Sequence, residues 1–290
     1  MNSYIPFENI ELESPFDLAK NSSIGCGGTA KTAYFPRSVA EMTSLVQALE
    51  RANVPYYAVG NMTNVLPPDG ESERVFVVTK RMKSIAAENG FFAEAGVTGG
   101  AILRECKRRR LSGAEFLEGI PCTLGGALYM NAGVGGAYIG DIVESVTVLR
   151  SGQILTLPKA ECGYAYKKSV FMQNDDLIVG AALRLTEASE TEIEERTAYY
   201  AAKRAHLPKG KSMGCVFKNP EGLVAGKLVE GAGLKGFRVG GARVSEKHAN
   251  FILNDKNATS AQIRSLIGIV KNAVFAQYKI RLEEEIRYLE

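Results

Sequence analysis

The run GIPCTLGGALYMNAGVGG, residues 119–136, sets six glycines among small and apolar residues. No ordinary helix or strand is built that way, because each glycine costs roughly 0.5–1 kcal/mol against alanine in regular structure. Such a cluster marks backbone that turns sharply or lies close to something bulky. A nucleotide phosphate suits it: N–H groups of a glycine loop entering a helix form an anion nest, and ALYMNAG supplies a short apolar turn behind it. A tight buried loop without a ligand is the alternative reading.

On the N-terminal side, the small-residue stretch NSSIGCGGTA (residues 21–30) leads into regular structure. Residues 33–35 read as a short strand closed by Pro36. Ser38 and Glu41 predict a capping box, and Val39, Met42, Leu45, Val46 and Leu49 recur at helical spacing up to about Asn53. Residues 54–59 read as a buried strand parallel to the first, which makes a strand-helix-strand unit. The loop that follows, GNMTNVLPPDG (residues 60–70), sits where an open α/β unit presents its backbone to a nucleotide. Strands are expected at residues 75–79 and 91–95, with a helix between 99 and 110. Its KRRR end, residues 107–110, reads as a solvated face.

On the C-terminal side, residues 143–149 and 153–157 flank a Ser151-Gly152 turn and predict a hairpin. A strand at 176–185 nearly completes a first domain. Residues 186–208 are acidic, then basic and helix-forming, and read as a connection into a second unit. Arg204 ends that helix, where a cation suits the macrodipole and can face a neighbouring site. The second unit should hold a strand at 215–218, a helix at 225–230 and a strand at 250–253. Its final helix starts at the Thr259 and Gln262 capping pair, with Ile263, Leu266, Ile267, Val270 and Val274 as its core stripe.

Composition bounds the function. The chain has 290 residues, room for two domains, and its net charge of +3 gives no polyanion signal, so no nucleic-acid partner is expected. No run of 18 apolar residues suggests a membrane span, and the opening residues lack the basic start and apolar core of a signal peptide. The cysteines Cys26, Cys106, Cys122, Cys162 and Cys215 are odd in number without CxxC spacing, which fits a reducing cytoplasm better than disulfides or zinc. With only His206 and His248, no metal site is expected, and His248 reads as a structural hydrogen-bonder.

Four strings stand in order: GIPCTLGGALYMNAG, GCVFKNP (214–220), AGLKGFRVGGARVSEKHANFILN (232–254) and LEEEIR (282–287). Together they resemble the flavin-dependent UDP-N-acetylenolpyruvoylglucosamine reductases, from about residue 21 to the C-terminus. The lack of an insertion between Leu185 and Cys215 resembles the shorter of that family's two classes. The resemblance implies an α+β fold with a two-part FAD-binding domain of the vanillyl-alcohol oxidase type over residues 1–187 and a smaller α+β substrate-binding domain over 188–290. It implies a cytoplasmic, monomeric enzyme of peptidoglycan precursor synthesis whose partners are NADPH and a UDP-sugar. NADPH would reduce FAD by hydride transfer, and the reduced flavin would pass hydride to an enolpyruvyl double bond. Protonation of the carbanionic intermediate completes the reaction. That chemistry asks for a ring held flat over the double bond, groups that spread the substrate carboxylate's charge, and a proton donor on the opposite face.

The same resemblance assigns residues. Cys215 takes the proton-donor position of the family's GSxFKNP string, where a thiol with a pKa of about 8.5 serves. Asn219 of that string and Arg204 would contact substrate. Glu285 matches the acid of LEPEVR, and Arg287 follows as a contact to flavin or substrate. YKKSVF (166–171) aligns on YRDSxF, which puts Lys167 where the family has arginine. Lysine keeps the charge and loses the bidentate fork. Flavin would be held by Gly60, Asn61, Met62, Thr63, Asn64 and Val65, and by Pro121, Cys122, Thr123, Gly125, Gly126, Asn131, Ala132 and Gly133. Met62 stands in the place of a glycine of GxGSNxL. If that place needs a positive φ, a methionine there requires a differently shaped loop. Cys122 likewise replaces a glycine. Two other readings stay open: a different FAD oxidoreductase, such as an oxidase of sugars or lactones, and a flavin-binding protein whose catalysis has lapsed.

Overall fold

The computed structural model describes residues 10–88 and 90–289. Residues 1–9, part of the expected first domain and of the opening read for a signal peptide, lie outside the described residues. The chain forms two compact units, and neither is a continuous half. Among the described residues, one comprises 10–13, 32–61 and 74–205, the other 14–31, 62–73 and 206–289. The expected boundary at 187/188 differs from this in two ways. The Glu190–Arg204 helix belongs with the first unit, because Ile193 is buried, Tyr200 sets its ring edge-on to Phe116, and Arg196 donates to the Ser112 hydroxyl at 3.1 Å. Residues 14–31 and 62–73 belong with the second.

The first unit holds two main sheets, beside two short two-stranded pairings. One has the order Glu11–Glu13, Ala33–Phe35, Val75–Val78, Tyr56–Val59, with the last three strands parallel. The two strands flanking the Val39–Arg51 helix are therefore parallel but not neighbours. The wholly apolar Val75–Val78, buried at every residue, takes the centre, and Tyr56–Val59 becomes a half-exposed edge. That corrects the buried strand expected at 54–59. The helix presses Met42, Leu45, Val46 and Leu49 into the core, each worth about 1.5–3 kcal/mol on burial. Half of the expected capping box forms: Ser38 Oγ accepts the Glu41 N–H at 3.2 Å, but the Glu41 carboxylate turns to the Arg37 N–H at 2.8 Å.

The second sheet of this unit is antiparallel, in the order Gln153–Pro158, Val143–Arg150, Leu177–Leu183, Phe91–Glu94, Ile85–Ala86. The expected hairpin and the strands expected at 91–95 and 176–185 are in it. Of the KRRR run, Lys107 pairs with Glu194, while Arg108 and Arg109 pair with Glu105, whose carboxyl they hold down at about 2. The run ends the Gly99–Arg109 helix as the surface feature its spacing suggested.

The second unit is an antiparallel sheet, Ser212–Cys215, Phe251–Asn254, Ala242–Val244, Arg238–Val239, with the Ala225–Gly231 and Ser260–Tyr278 helices packed on its core. The first strand ends at Cys215, where the sequence suggested one would begin. Residues 24 and 25 are held by Asn254, whose Nδ2 donates to the Ile24 and Gly25 carbonyls at 3.0 and 2.9 Å. The long helix starts at the expected Thr259/Gln262 capping box, and the Asp69 carboxylate accepts the N–H groups of Ser260 and Ala261 at 2.6 and 2.8 Å. A helix start favours such a charge by about 0.3–1 kcal/mol.

Candidate active site

In the first unit, the two glycine loops meet. A side chain on Gly60 would collide with Thr123 Oγ1, so only glycine lets the loops touch here, and Asn61 Nδ2 donates to the Pro121 carbonyl at 3.3 Å. The Leu124–Met130 helix that follows is not the open anion nest its glycines suggested. Leu124 and Gly125 give their N–H groups to the carbonyls of Val97 and Ala95 at 2.7 and 2.8 Å, and Gly126 gives its own to Thr123 Oγ1. Gly60, Asn61 and Pro121 to Thr123 make up the remaining loop face. It carries neutral groups, with no carboxylate to repel a diphosphate. Cys122 is buried, which pushes its thiol up to about 11 and makes it a filler. Arg204 Nε lies 3.3 Å from where a Gly119 side chain would begin, so the helix end faces this segment.

Asn131 caps the short helix in the left-handed region, at φ 43°, and its buried amide is committed at both ends. Oδ1 accepts the Gly140 N–H at 3.0 Å and Nδ2 donates to the Ala165 carbonyl at 2.8 Å. Ala132 is similarly engaged through both backbone groups, and Gly133 sits in a small hairpin opposite Tyr138. Ala165 opens the turn that carries Lys167. Ala165 and Lys168 exchange both N–H···O bonds at 3.1 Å, and Ser169 Oγ anchors the turn on the Tyr129 carbonyl at 2.6 Å. Lys167 occupies the left-handed region at φ 51°, a position where side chains are disfavoured. Such strain persists only when the surroundings over-determine it.

In the second unit, residues 283–289 join three of the motifs. On one side Lys218 donates to the Glu283 carbonyl, and Glu285 donates to the Val216 carbonyl, both at 2.8 Å. On the other side Arg287–Tyr288 pairs in parallel with Val65–Leu66, and Asn64 Nδ2 donates to the Glu285 carbonyl at 3.1 Å. Glu285 is buried, one residue beyond the bridge between Phe217 and Glu284. Burial works to raise the neighbouring Glu284 carboxyl, but hydrogen bonds from Lys271 and Tyr288, with the Arg264 charge, outweigh it and hold it below its ordinary value. Cys215 is half-buried, whereas the other four cysteines are fully buried. Asn219 Oδ1 accepts the Ala225 N–H at 3.0 Å, so that oxygen caps a helix.

Met62 answers the question raised by its replacement of glycine. Its φ is 51°, so the position does require the left-handed region, and the methionine adopts it with its side chain buried. His248 is structural, as expected: its Nδ1 accepts the Asn250 N–H at 3.3 Å beside the rings of His206 and Phe251. Sequence reasoning passed over Asn250 and Asn254. An asparagine at each end of the apolar stretch Phe-Ile-Leu was the available signal, because a buried amide must find partners.

Residues 30–157 match the family model described as FAD binding domain, and residues 205–289 match the C-terminal domain of UDP-N-acetylenolpyruvoylglucosamine reductase. The reductase of that name from Lactiplantibacillus plantarum is 35% identical over 98% of this chain and 95% of its own. The chain belongs to the UDP-N-acetylenolpyruvoylglucosamine reductase family. Another member of the family, from Geobacter metallireducens, is 38% identical over 93% of this chain and 91% of its own. The crystal structure of the reductase from Thermus caldophilus superposes with a TM-score of 0.84 at 30% identity, covering 97% of this chain and 99% of that one. The reductase family thus accounts for the fold along nearly the whole chain. Among the described residues no cluster of His, Cys, Asp or Glu could hold a metal ion, and no helix is long and apolar enough to cross a membrane.

Proposed function

We propose that this chain reduces the enolpyruvyl group of UDP-N-acetylglucosamine enolpyruvate to UDP-N-acetylmuramate, with NADPH as reductant and FAD as the relay. The observation that carries the reading is the pairing of residues 283–289, which lays LEEEIR against GCVFKNP on one side and against the GNMTNVL loop on the other. FAD, when bound, supplies the two-electron link between NADPH and the sugar. Gly60 to Val65, Pro121 to Thr123 and Arg287 would hold it, and the neutral loop face suits its diphosphate. In Gly125, Gly126, Asn131, Ala132 and Gly133 we see a scaffold behind those loops, because their backbone or amide groups are already engaged.

Cys215 holds the proton that the substrate carbon receives. Lys167 meets the substrate carboxylate as a point charge, and Glu285 flanks the charge that develops beside it. Asn219 contacts the nucleotide sugar beside the helix whose Ala225 N–H its oxygen accepts, and Arg204 adds a cation near the 119–122 segment. NADPH and a nucleotide sugar belong to the cytoplasm, and five cysteines without a disulfide suit that compartment. The chain acts there as a monomer, which size-exclusion chromatography checks.

The test is the visible spectrum of the purified protein, followed by anaerobic NADPH and then the enolpyruvyl nucleotide sugar. A flavin spectrum that bleaches with NADPH and returns with the sugar is the expected result. A protein without flavin, or one whose reduced form consumes oxygen quickly and ignores the sugar, would overturn the reading.

A further inference from the structure

Cys215 ends its strand at an irregularity. The register shifts between Ser212 and Cys215, and Gly214 between them lies at φ 77°, in the left-handed region. The ladder partner runs out at the same place, since Cys215 pairs with Phe251, the first residue of its strand. Nothing regular continues the sheet over Val216 and Phe217. One asparagine stands in for the missing strand. The Asn250 carbonyl accepts the Val216 N–H at 2.8 Å, its Oδ1 accepts the Phe217 N–H at 2.9 Å, and its Nδ2 donates to the Phe217 carbonyl at 2.8 Å. Asn250 is 3% exposed, so water cannot replace these bonds. On the opposite side of the same two residues run Glu284 and Glu285.

We propose that Asn250 is the positioning residue that fixes the Cys215 thiol and its register with Glu285. This rests on the reading of Cys215 as proton donor. A cysteine side chain has one rotatable bond to its sulfur, so the sulfur goes where the backbone sends it. Gly214 leaves the N-terminal side permissive, and the direction is set from residues 216 and 217, which Asn250 holds. Only a primary amide of this length bonds both the N–H and the C=O of one residue. An aspartate keeps the acceptor and sets a second oxygen against the Phe217 carbonyl.

The test compares Asn250→Asp with wild type. Reoxidation of the reduced flavoprotein by the enolpyruvyl nucleotide sugar should slow at least about tenfold while reduction by NADPH stays within about twofold. Combined with Cys215→Ala, the change should add less than about twofold, because both act through one thiol. Without substrate, alkylation of Cys215 by iodoacetamide should change rate by about threefold or more, since thiol reactivity follows its surroundings. Equal slowing of both half-reactions, an additive loss in the double variant or an unchanged alkylation rate would overturn the proposal. Should Asn250→Asp fail to fold, hydrogen exchange on the wild type decides: the Phe217 amide is expected to be strongly protected, and exchange as fast as an open loop overturns the clamp. A wild-type rate of sugar reduction in Cys215→Ala would instead overturn the role of Cys215, leaving alkylation and exchange to judge Asn250.

Discussion

Lys167 and Cys215 are presented in opposite ways. Lys167 rides on the tip of a four-residue turn, in a left-handed conformation, fastened behind by Asn131 and Ser169. Cys215 closes a strand, and the two residues after it are held from both sides. The difference follows from side-chain length. A lysine reaches its target along a flexible four-carbon stem, so the turn need only point it roughly. A thiol has no reach, so the backbone must place it.

The largest expected effect tests that contrast. Lys167→Ala removes the charge proposed to meet the substrate carboxylate and should lower kcat about 10²–10³-fold, measured with saturating sugar, whereas Lys167→Arg should stay within about tenfold of wild type. A Lys167→Arg variant as damaged as Lys167→Ala would break the contrast by showing that the turn tip is no more tolerant than the strand end.

Next in size is a pair of substitutions at Met62 and Lys167, both in the left-handed region, with opposite signs. At Met62 the conformational relief of glycine is about 1–2 kcal/mol, but losing a buried methionine side chain costs about 2–5 kcal/mol, so Met62→Gly should destabilise. At Lys167 relief opposes only the extra freedom of glycine in the unfolded chain, and Lys167→Gly should gain up to about 1 kcal/mol while losing activity. Denaturant titration of both apoproteins checks the signs. Strain kept at Lys167 against the interest of stability is what a functional turn predicts.

The smallest effect concerns pH. Burial, with the nearby His206 charge, lowers the His248 pKa from its ordinary 6.5. The unfolded chain therefore takes up the proton first, and stability should decline as pH falls below about 6.5 until the folded-state pKa is passed. His248→Asn should flatten that slope in thermal melts between pH 5 and 7, a range set about the ordinary histidine pKa. Because the His248 ring accepts the Asn250 N–H, an unchanged slope would also loosen the view that the strand end is tightly specified.

Where one periodicity ruled, the sequence was readable. The Val39–Arg51 and Ser260–Tyr278 helices follow their caps and apolar stripes, and the 143–158 hairpin follows its turn. Pairing across long separations was not. Nothing local in Val75–Val78 says that it parts the two strands before it, and nothing in residues 14–31 says that they join a unit built mostly from the other end of the chain. At the site, the motif resemblance named candidate residues, but hydrogen-bond accounting lay beyond it. The glycines beside Leu124 suggested open N–H groups, and the carbonyls that occupy the Leu124 and Gly125 N–H groups come from residues 97 and 95. Asn131 is a cofactor contact by the resemblance alone, and its side-chain amide bonds groups 9 and 34 residues away.

The most direct test is a single turnover of Cys215→Ala. The protein is reduced anaerobically with NADPH and then mixed with the enolpyruvyl nucleotide sugar. Flavin reduction at the wild-type rate, followed by reoxidation slowed about 10²-fold or more, is the expected result. Reoxidation at the wild-type rate, or equal slowing of both steps, would contradict the assignment of the proton to this thiol.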